Sequence, residues 1–432
     1  MRLALGLLAA LLFLALTFNP VVDGDGVGYY SYLHSIVVDH DLDLADEYSA
    51  ARAAGATVLH ADTRTRTGLL ADYYPVGSAL LALPFYAVAQ VARQDQYGRA
   101  NQAAYCLASL LADLLALVIC YRITRSPVAV FAACFATPFV FYLVAAPSYS
   151  HTFSALAVSL FVWAWLRGRS MLLLGFLGGL MALVRPQDGA LMAVALLDLP
   201  RVRWRVLLLV PGALVAFAPQ LWVDQVIFGQ WQPPSPPEGF RLWPGHYWQV
   251  LFSTWRGLFV WHPVTLAAVA GFIWVKGWRL RLAMAFSLLF ETAVNGAVGD
   301  WWGGLAFGQR RFLDLLPYFA IGLAALAERL RPALAWAAAG LLTAWNFVLW
   351  ANFIYVIHAD TDPGLKLITG QLRALLYVPR LFGQGYVLRH GDLLLLALEA
   401  ACLAVAFNLA HGHGEQARPQ RDDARLQRGA DP

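Results

Sequence analysis

Charge is scarce in this sequence: only 13% of its 432 residues are Asp, Glu, Lys or Arg, against about 25% in soluble domains. So few charges cannot cover a water-facing surface of this size. Lysine is nearly absent, at Lys276 and Lys366 alone, so almost every cation is an arginine. The four cysteines (Cys106, Cys120, Cys134, Cys402) lie inside apolar blocks without CxxC spacing, which excludes a disulfide framework or a thiolate metal site. No fixed-period repeat is present, which excludes a solenoid. The apolar start MRLALGLLAALLFLALTF runs into FNPVVDGDG rather than a small-residue cleavage site, so it reads as an uncleaved first span. A formal net charge of +4 is too small to suggest nucleic acid as a partner.

What is abundant is apolar: 59% of residues are hydrophobic and the mean hydropathy is +0.57. The apolar residues come in blocks of about 17 to 22, the length that crosses a hydrocarbon core about 30 Å thick. Backbone polar groups must be satisfied internally there, so such blocks are helices. The expected fold is therefore all-α, a polytopic integral membrane protein of about 12 transmembrane helices (11–13). One helical domain spans 1–411, followed by a polar, disordered cytoplasmic tail over 412–432.

The blocks are Leu3–Phe18, Tyr74–Ala92, Asn101–Ile123, Val128–Ala146, His151–Leu166, Met171–Val184, Gly189–Leu199, Val206–Phe228, Leu258–Val275, Leu282–Val298, Phe312–Ala327, Ala333–Ile354 and Leu393–Ala410. Arginine-rich connectors such as YRITRS, RGRS, PRVRWR, KGWRLR and ERLR belong on the cytoplasmic side. With these and the amino terminus inside, thirteen crossings break parity. Leaving Tyr74–Ala92 (opening YYPVG) in the interface restores it; the rival arrangement has a true span there and a different block that does not cross. Both termini are then cytoplasmic, in a bacterial inner membrane. The long first outer loop, about 20–100, carries interfacial helices and faces outward with Pro147–Ser150, Arg185–Asp188, Gly229–Gly257, Gly299–Arg311 and His358–Gly391.

Nine of the chain's 27 acids fall between Pro20 and Tyr73. Most are solvation and capping. Asp25 stands apart, because DGDGVGYYSYLHSIVV sets it at the mouth of a helix directly after the first span. A carboxylate at that interface meets both lipid-borne and water-borne substrates and can take a proton from an attacking hydroxyl. In the same helix Tyr29 and Tyr30 lie on an aromatic side. Asp39, His40 and Asp41 in DHDLDLADEY form an oxygen-rich cluster that would suit a divalent cation. The alternative there is a helix cap and turn, and a cation is not strongly indicated. His151 begins a span on the same face as Asp25. Arg185 and Asp188 sit where one short span turns into the next and can pair with each other. Glu291 and Asn295, at i and i+4, and Asp113 read as polar groups that knit helices together. Finally GDWWGGLAFGQRRF brings Asp300, Trp301 and Trp302 beside Arg310 and Arg311. Forked guanidinium donors there fit phosphate oxygens two at a time, and Arg256 is a further candidate for that task.

These pieces resemble the GT-C superfamily of integral membrane glycosyltransferases, the class of protein mannosyltransferases and aminoarabinose transferases. Three stretches carry the likeness: GDGVGYY after the first span, YYPVGSALLALPFY later in that loop, and WWGGLAFGQRRFLDLLP before a late span. The resemblance implies a polyprenyl-phosphate-linked sugar donor and attack by an acceptor hydroxyl with inversion. The acceptor would be a lipid, glycan or protein. It implies Asp25 as catalytic base, with Asp23 as the alternate. Where that family often offers an acid in its second outer loop, this chain has His151. Rival readings are a transporter or flippase of lipid-linked sugars, which would use mid-membrane acids such as Asp113 and Glu291, and a non-catalytic membrane assembly subunit.

Overall fold

The computed structural model describes residues 2–59, 63–92, 94–231, 238–357 and 360–411. The expected tail over 412–432, as well as Asp62, lies outside the described residues. The regular elements among the described residues are all helical. The main helices are α1 Arg2–Thr17, α2 Asp25–His34, α3 Ala45–Ala53, α4 Gly77–Ala89, α5 Arg99–Thr124, α6 Pro127–Phe135, α7 Phe139–Val144, α8 His151–Leu166 and α9 Met171–Val184. They continue as α10 Leu209–Phe228, α11 Pro263–Gly271, α12 Trp278–Ala297, α13 Leu316–Ala327, α14 Pro332–Tyr355 and α15 Leu393–His411.

Local sequence sets many of these boundaries. Ser126 accepts the Ala129 amide at 3.4 Å with Pro127 at the first helical position, and Ser170 accepts the Leu173 amide at 3.3 Å. Both are side-chain N-caps. Prolines also divide two blocks that hydropathy alone joins. Val128–Ala146 breaks between α6 and α7 at Thr137–Pro138, and Leu258–Val275 breaks at His262–Pro263. A proline disfavours helical geometry in the residue before it.

Among the described residues, four helical stretches are long and apolar enough to cross a bilayer: Arg99–Thr124, Pro186–Phe228, Pro332–Tyr355 and Leu393–His411. Shorter apolar helices include Ala4–Thr17, Gly77–Ala92, His151–Leu166 and Met171–Val184. Their outward faces carry bare Leu and Val, among them Leu8 (63% exposed), Val215 (68%) and Leu341 (72%). Such a surface is stable against lipid and not against water.

Helices α9 and α10 share a small-residue seam. A Cβ on Gly175 would stand 2.2 Å from the Leu209 carbonyl oxygen, and one on Gly179 2.3 Å from that of Ala213, so the backbones touch. The matched order shows that α9 and α10 run in the same direction. The segment between them, the 3-10 helix Pro186–Asp198, therefore returns across the bundle. At about 2.0 Å per residue, its 13 residues reach roughly 26 Å. PRVRWR, expected as a plain connector, is itself helical on both sides of Arg203, whose φ of 53° turns the chain.

The two ends of the bundle meet. The Gly385 and Tyr386 amides donate to the Leu16 and Phe18 carbonyls at 2.8 Å each, and Arg389 donates to Asn19 Oδ1 at 2.9 Å. Helix α15 also packs on α5, where Arg122 donates to the Leu409 carbonyl.

Candidate active site

The site is built on α2. Gly24, at φ 58°, turns the chain that follows α1 into that helix, a conformation costly for residues with a Cβ. Asp25 then opens the helix, where its carboxylate meets the positive end of the helix dipole. At Gly28 a Cβ would lie 1.9 Å from Tyr74 Cδ2, so only glycine admits the Tyr74 ring. All of Gly26 through Leu33 is buried. The helix expected to float with one apolar side is instead enclosed on all sides.

Against Asp25 comes Arg310, in the 3-10 turn Arg310–Leu315. Its Nη1 lies 2.6 Å from Asp25 Oδ2, with side chains only 10% and 17% exposed for Arg310 and Asp25. Tyr74 Oη donates to the other Asp25 oxygen at 3.4 Å. The Arg310 guanidinium sits 5.0 Å from the centre of the Tyr149 ring, a cation–π contact. Tyr149 in turn stacks on His151 at 16° between planes, 6.3 Å centre to centre, and His151 Nδ1 meets the Arg185 guanidinium. Burial, with the Asp25 carboxylate beside it, pushes the Tyr29 phenol up to about 12. Burial likewise raises Tyr74. These phenols stay neutral at ordinary pH.

The structure brings together Asp25, Tyr29, His151 and Arg310, and places the other expected residues elsewhere. Asp23 faces away: its Oδ1 accepts the Thr57 amide at 2.6 Å, and its backbone meets Ser148 Oγ. Tyr30 is fully buried, donating to the Gln96 carbonyl at 2.5 Å among the rings of Tyr86, Tyr97 and Tyr105. It packs the helix instead of lining the site. The tandem arginines diverge, as neighbours on a 3-10 turn must. Arg311 donates to Asp300 Oδ1 at 2.6 Å and to the Asp300 carbonyl at 3.2 Å, bracing the loop that Trp301 and Trp302 begin. Arg256 donates through Nε to the Ala306 carbonyl at 2.5 Å and so anchors the same loop. Trp302 stacks on Trp255 at 4.1 Å, so this tryptophan is tied into the protein.

The Asp39–His40–Asp41 run is a helix end. His40 (φ 59°) terminates a π-helical turn and its Nδ1 meets the Ile36 carbonyl at 3.2 Å. Asp41 Oδ1 accepts Ser35 Oγ and the Asp43 amide at 3.1 Å each, an Asx turn. Asp39 instead comes within ligand reach of Asp46 and Glu47. Tyr74 and Tyr149 were not singled out in the sequence. Their only sequence signal is their place in YYPVG and APSYSHT. A separate cavity of about 260 Å³, lined by Tyr97, Arg99, Gln102 and Tyr386, contains none of the site residues.

Two consequences are measurable. Asp72 is 2% exposed and accepts the Tyr74 amide at 2.8 Å; burial raises its carboxyl to about 8. The folded state thus holds a proton that the unfolded chain releases near 3.9. This contribution is complete below about pH 4 and is lost as pH rises toward 8. Asp72→Asn removes the dependence, so the melting-temperature difference between variant and wild type should shift in the variant's favour by a few degrees from pH 5 to pH 8. Second, Arg311→Gln should lower the melting temperature by about a degree or two, because it removes the brace on Asp300; an unchanged melting temperature would mean that the loop holds without it.

No family model matches the chain, and no curated protein matches it. Two solved structures do. The crystal structure of ArnT from Cupriavidus metallidurans bound to undecaprenyl phosphate superimposes with a TM-score of 0.50 at 16% identity, over 95% of this chain and 76% of that one. ArnT from the same organism in the apo state gives 0.51 at 15% identity over the same shares. The likeness is one of fold.

Proposed function

We propose that this protein is a membrane glycosyltransferase that moves a sugar from a polyprenyl-phosphate-linked donor to an acceptor hydroxyl at the outer face of the membrane. The observation that carries this reading is the Asp25–Arg310 pair, held at 2.6 Å in a fold shared with ArnT, a membrane glycosyltransferase. Arg310 is almost enclosed, yet its Nε has no hydrogen-bond partner among the described residues. A guanidinium with a spare, desolvated donor is suited to a phosphate oxygen.

The chemistry follows from the geometry. Before donor binds, Arg310 neutralises Asp25. The donor phosphate draws the fork of Arg310 toward itself and frees the carboxylate. The acceptor oxygen attacks the anomeric carbon as the bond from that carbon to the phosphate oxygen breaks. The hydroxyl proton passes to Asp25, and the polyprenyl phosphate leaves with its growing charge facing Arg310. Displacement from the opposite face inverts the anomeric centre. Tyr29, Tyr74 and Tyr149 border the sugar as neutral rings, and His151 with Arg185 backs Tyr149. The arrangement of about twelve spans with both termini cytoplasmic belongs to this proposal, since it sets Asp25 outward.

One observation favours a second reading. Asp113 is fully buried in α5 with both carboxylate oxygens lacking hydrogen-bond partners among the described residues, as a transporter of lipid-linked sugars would place it. The envelope glycan profile of a deletion strain separates the two. Complementation by Asp113→Asn but not Asp25→Asn supports transfer, and the opposite pattern supports transport.

A further inference from the structure

Behind Arg310 three carboxylates converge from three elements: Asp188 in the 3-10 segment Pro186–Asp198, Glu291 in α12, and Asp314 one turn after Arg310. One ligand oxygen of each lies within 4.8 Å of the others, and each residue is 0% exposed. Two are held at one oxygen only. Ser154 Oγ donates to Asp188 Oδ2, and Asn295 Nδ2 donates to Glu291 Oε2 at 3.1 Å. Their second oxygens, Asp188 Oδ1 and Glu291 Oε1, have no hydrogen-bond partner among the described residues. Neither oxygen of Asp314, wholly buried and facing this cluster, has a hydrogen-bond partner outside it among the described residues. One anchored oxygen beside one bare oxygen is how outer partners orient metal ligands.

The charge balance points the same way. Arg185 is the nearest cation, with its Nε 3.9 Å from Asp188 Oδ1, too far for a hydrogen bond. Arg310 and Arg311 are engaged by Asp25 and Asp300. With all three ionised against one guanidinium, two negative charges would stand in a dry interior, where uncompensated charge is expensive. A divalent cation cancels both. Oxygens on opposite sides of a calcium-sized ion stand about 5 Å apart, close to the span seen here. An all-oxygen set with no sulfur or imidazole selects a hard ion.

We propose that Asp188, Glu291 and Asp314 bind one hard divalent cation of the Mg²⁺, Mn²⁺ or Ca²⁺ class. The ion ties α12 and the Pro186–Asp198 segment to the turn that presents Arg310. It is a site apart from the Asp39–Asp46–Glu47 group of the first outer loop.

The test is Mn²⁺ alone, titrated into chelator-stripped full-length protein in lipid nanodiscs, with the free-ion signal read by electron paramagnetic resonance. Wild type should bind about one Mn²⁺ that Mg²⁺ or Ca²⁺ competes away. The Asp314→Asn, Glu291→Gln double variant, checked for monodispersity, should bind at least tenfold more weakly. The Asp39→Asn, Asp46→Asn variant should bind as wild type does. No binding by wild type overturns the site and means that the carboxyls carry protons instead. Loss confined to the Asp39, Asp46 variant overturns it as well. Because the readout requires no sugar transfer, its failure leaves the transferase reading standing.

Discussion

Asp25→Asn is expected to lower sugar transfer by about 10²–10⁴-fold, the span a positioned general base contributes, with the variant reaching the membrane in wild-type amounts. Asparagine keeps the shape of the side chain, and its amide oxygen still accepts from Tyr74 and Arg310. The helix mouth therefore stays folded while the proton acceptor is lost. The same substitution carries a second expectation that a purely structural role would not produce. With the carboxylate gone, only a neutral amide oxygen competes with phosphate for the Arg310 fork, so undecaprenyl phosphate should bind more tightly to the variant than to wild type. Titration in nanodiscs followed by native mass spectrometry reads this directly. Full transfer activity in Asp25→Asn would end its assignment as base, and weakened lipid binding would recast it as a residue that positions the donor.

The second large effect is expected at Arg310. Arg310→Ala removes the donors that face the developing phosphate charge, and loss of such a group costs about 10²–10³-fold in turnover. It also leaves Asp25 without its 2.6 Å partner. Arg310→Lys separates charge from geometry, since lysine restores the positive charge without the two-pronged donor. It should recover part of the undecaprenyl phosphate affinity and little of the turnover. Equal rescue of both would mean that charge alone suffices. Unchanged lipid affinity in Arg310→Ala would place the phosphate elsewhere, with Arg256 the next arginine to test.

Hydropathy alone made parts of the bundle legible in the sequence, and in one case a cap agreed with it. His151–Leu166 and Met171–Val184 are read to the residue, the latter because Ser170 supplies its N-cap. Hydropathy says nothing of the prolines that split Val128–Ala146 and Leu258–Val275, since a broken helix is as apolar as a continuous one. Asp25 could be singled out because it directly follows the first apolar block, at the mouth of a helix with an aromatic side. Its partner could not be chosen between Arg310 and Arg311, because which neighbour on a turn faces inward is decided by tertiary packing. Tyr74 and Tyr149 were hidden for the same reason. So was the convergence of Asp188, Glu291 and Asp314, each of which looks like an isolated polar group until three distant segments are folded together.

The hydrogen bonds that join Gly385 and Tyr386 to the end of α1 bear on how this protein is made. The contact between Arg389 and Asn19 bridges 370 positions of chain. At a synthesis rate of about 5–20 residues per second, roughly 20–75 s pass between the emergence of its two sides. Throughout that interval the first span and the loop suspended from it wait without their final neighbour. Arg310 arrives late in the same interval. Maturation of the carboxylate–guanidinium pair is thus a closing event of biogenesis, and chains stalled before it should be inserted but unlatched, open to membrane proteases at the first loop.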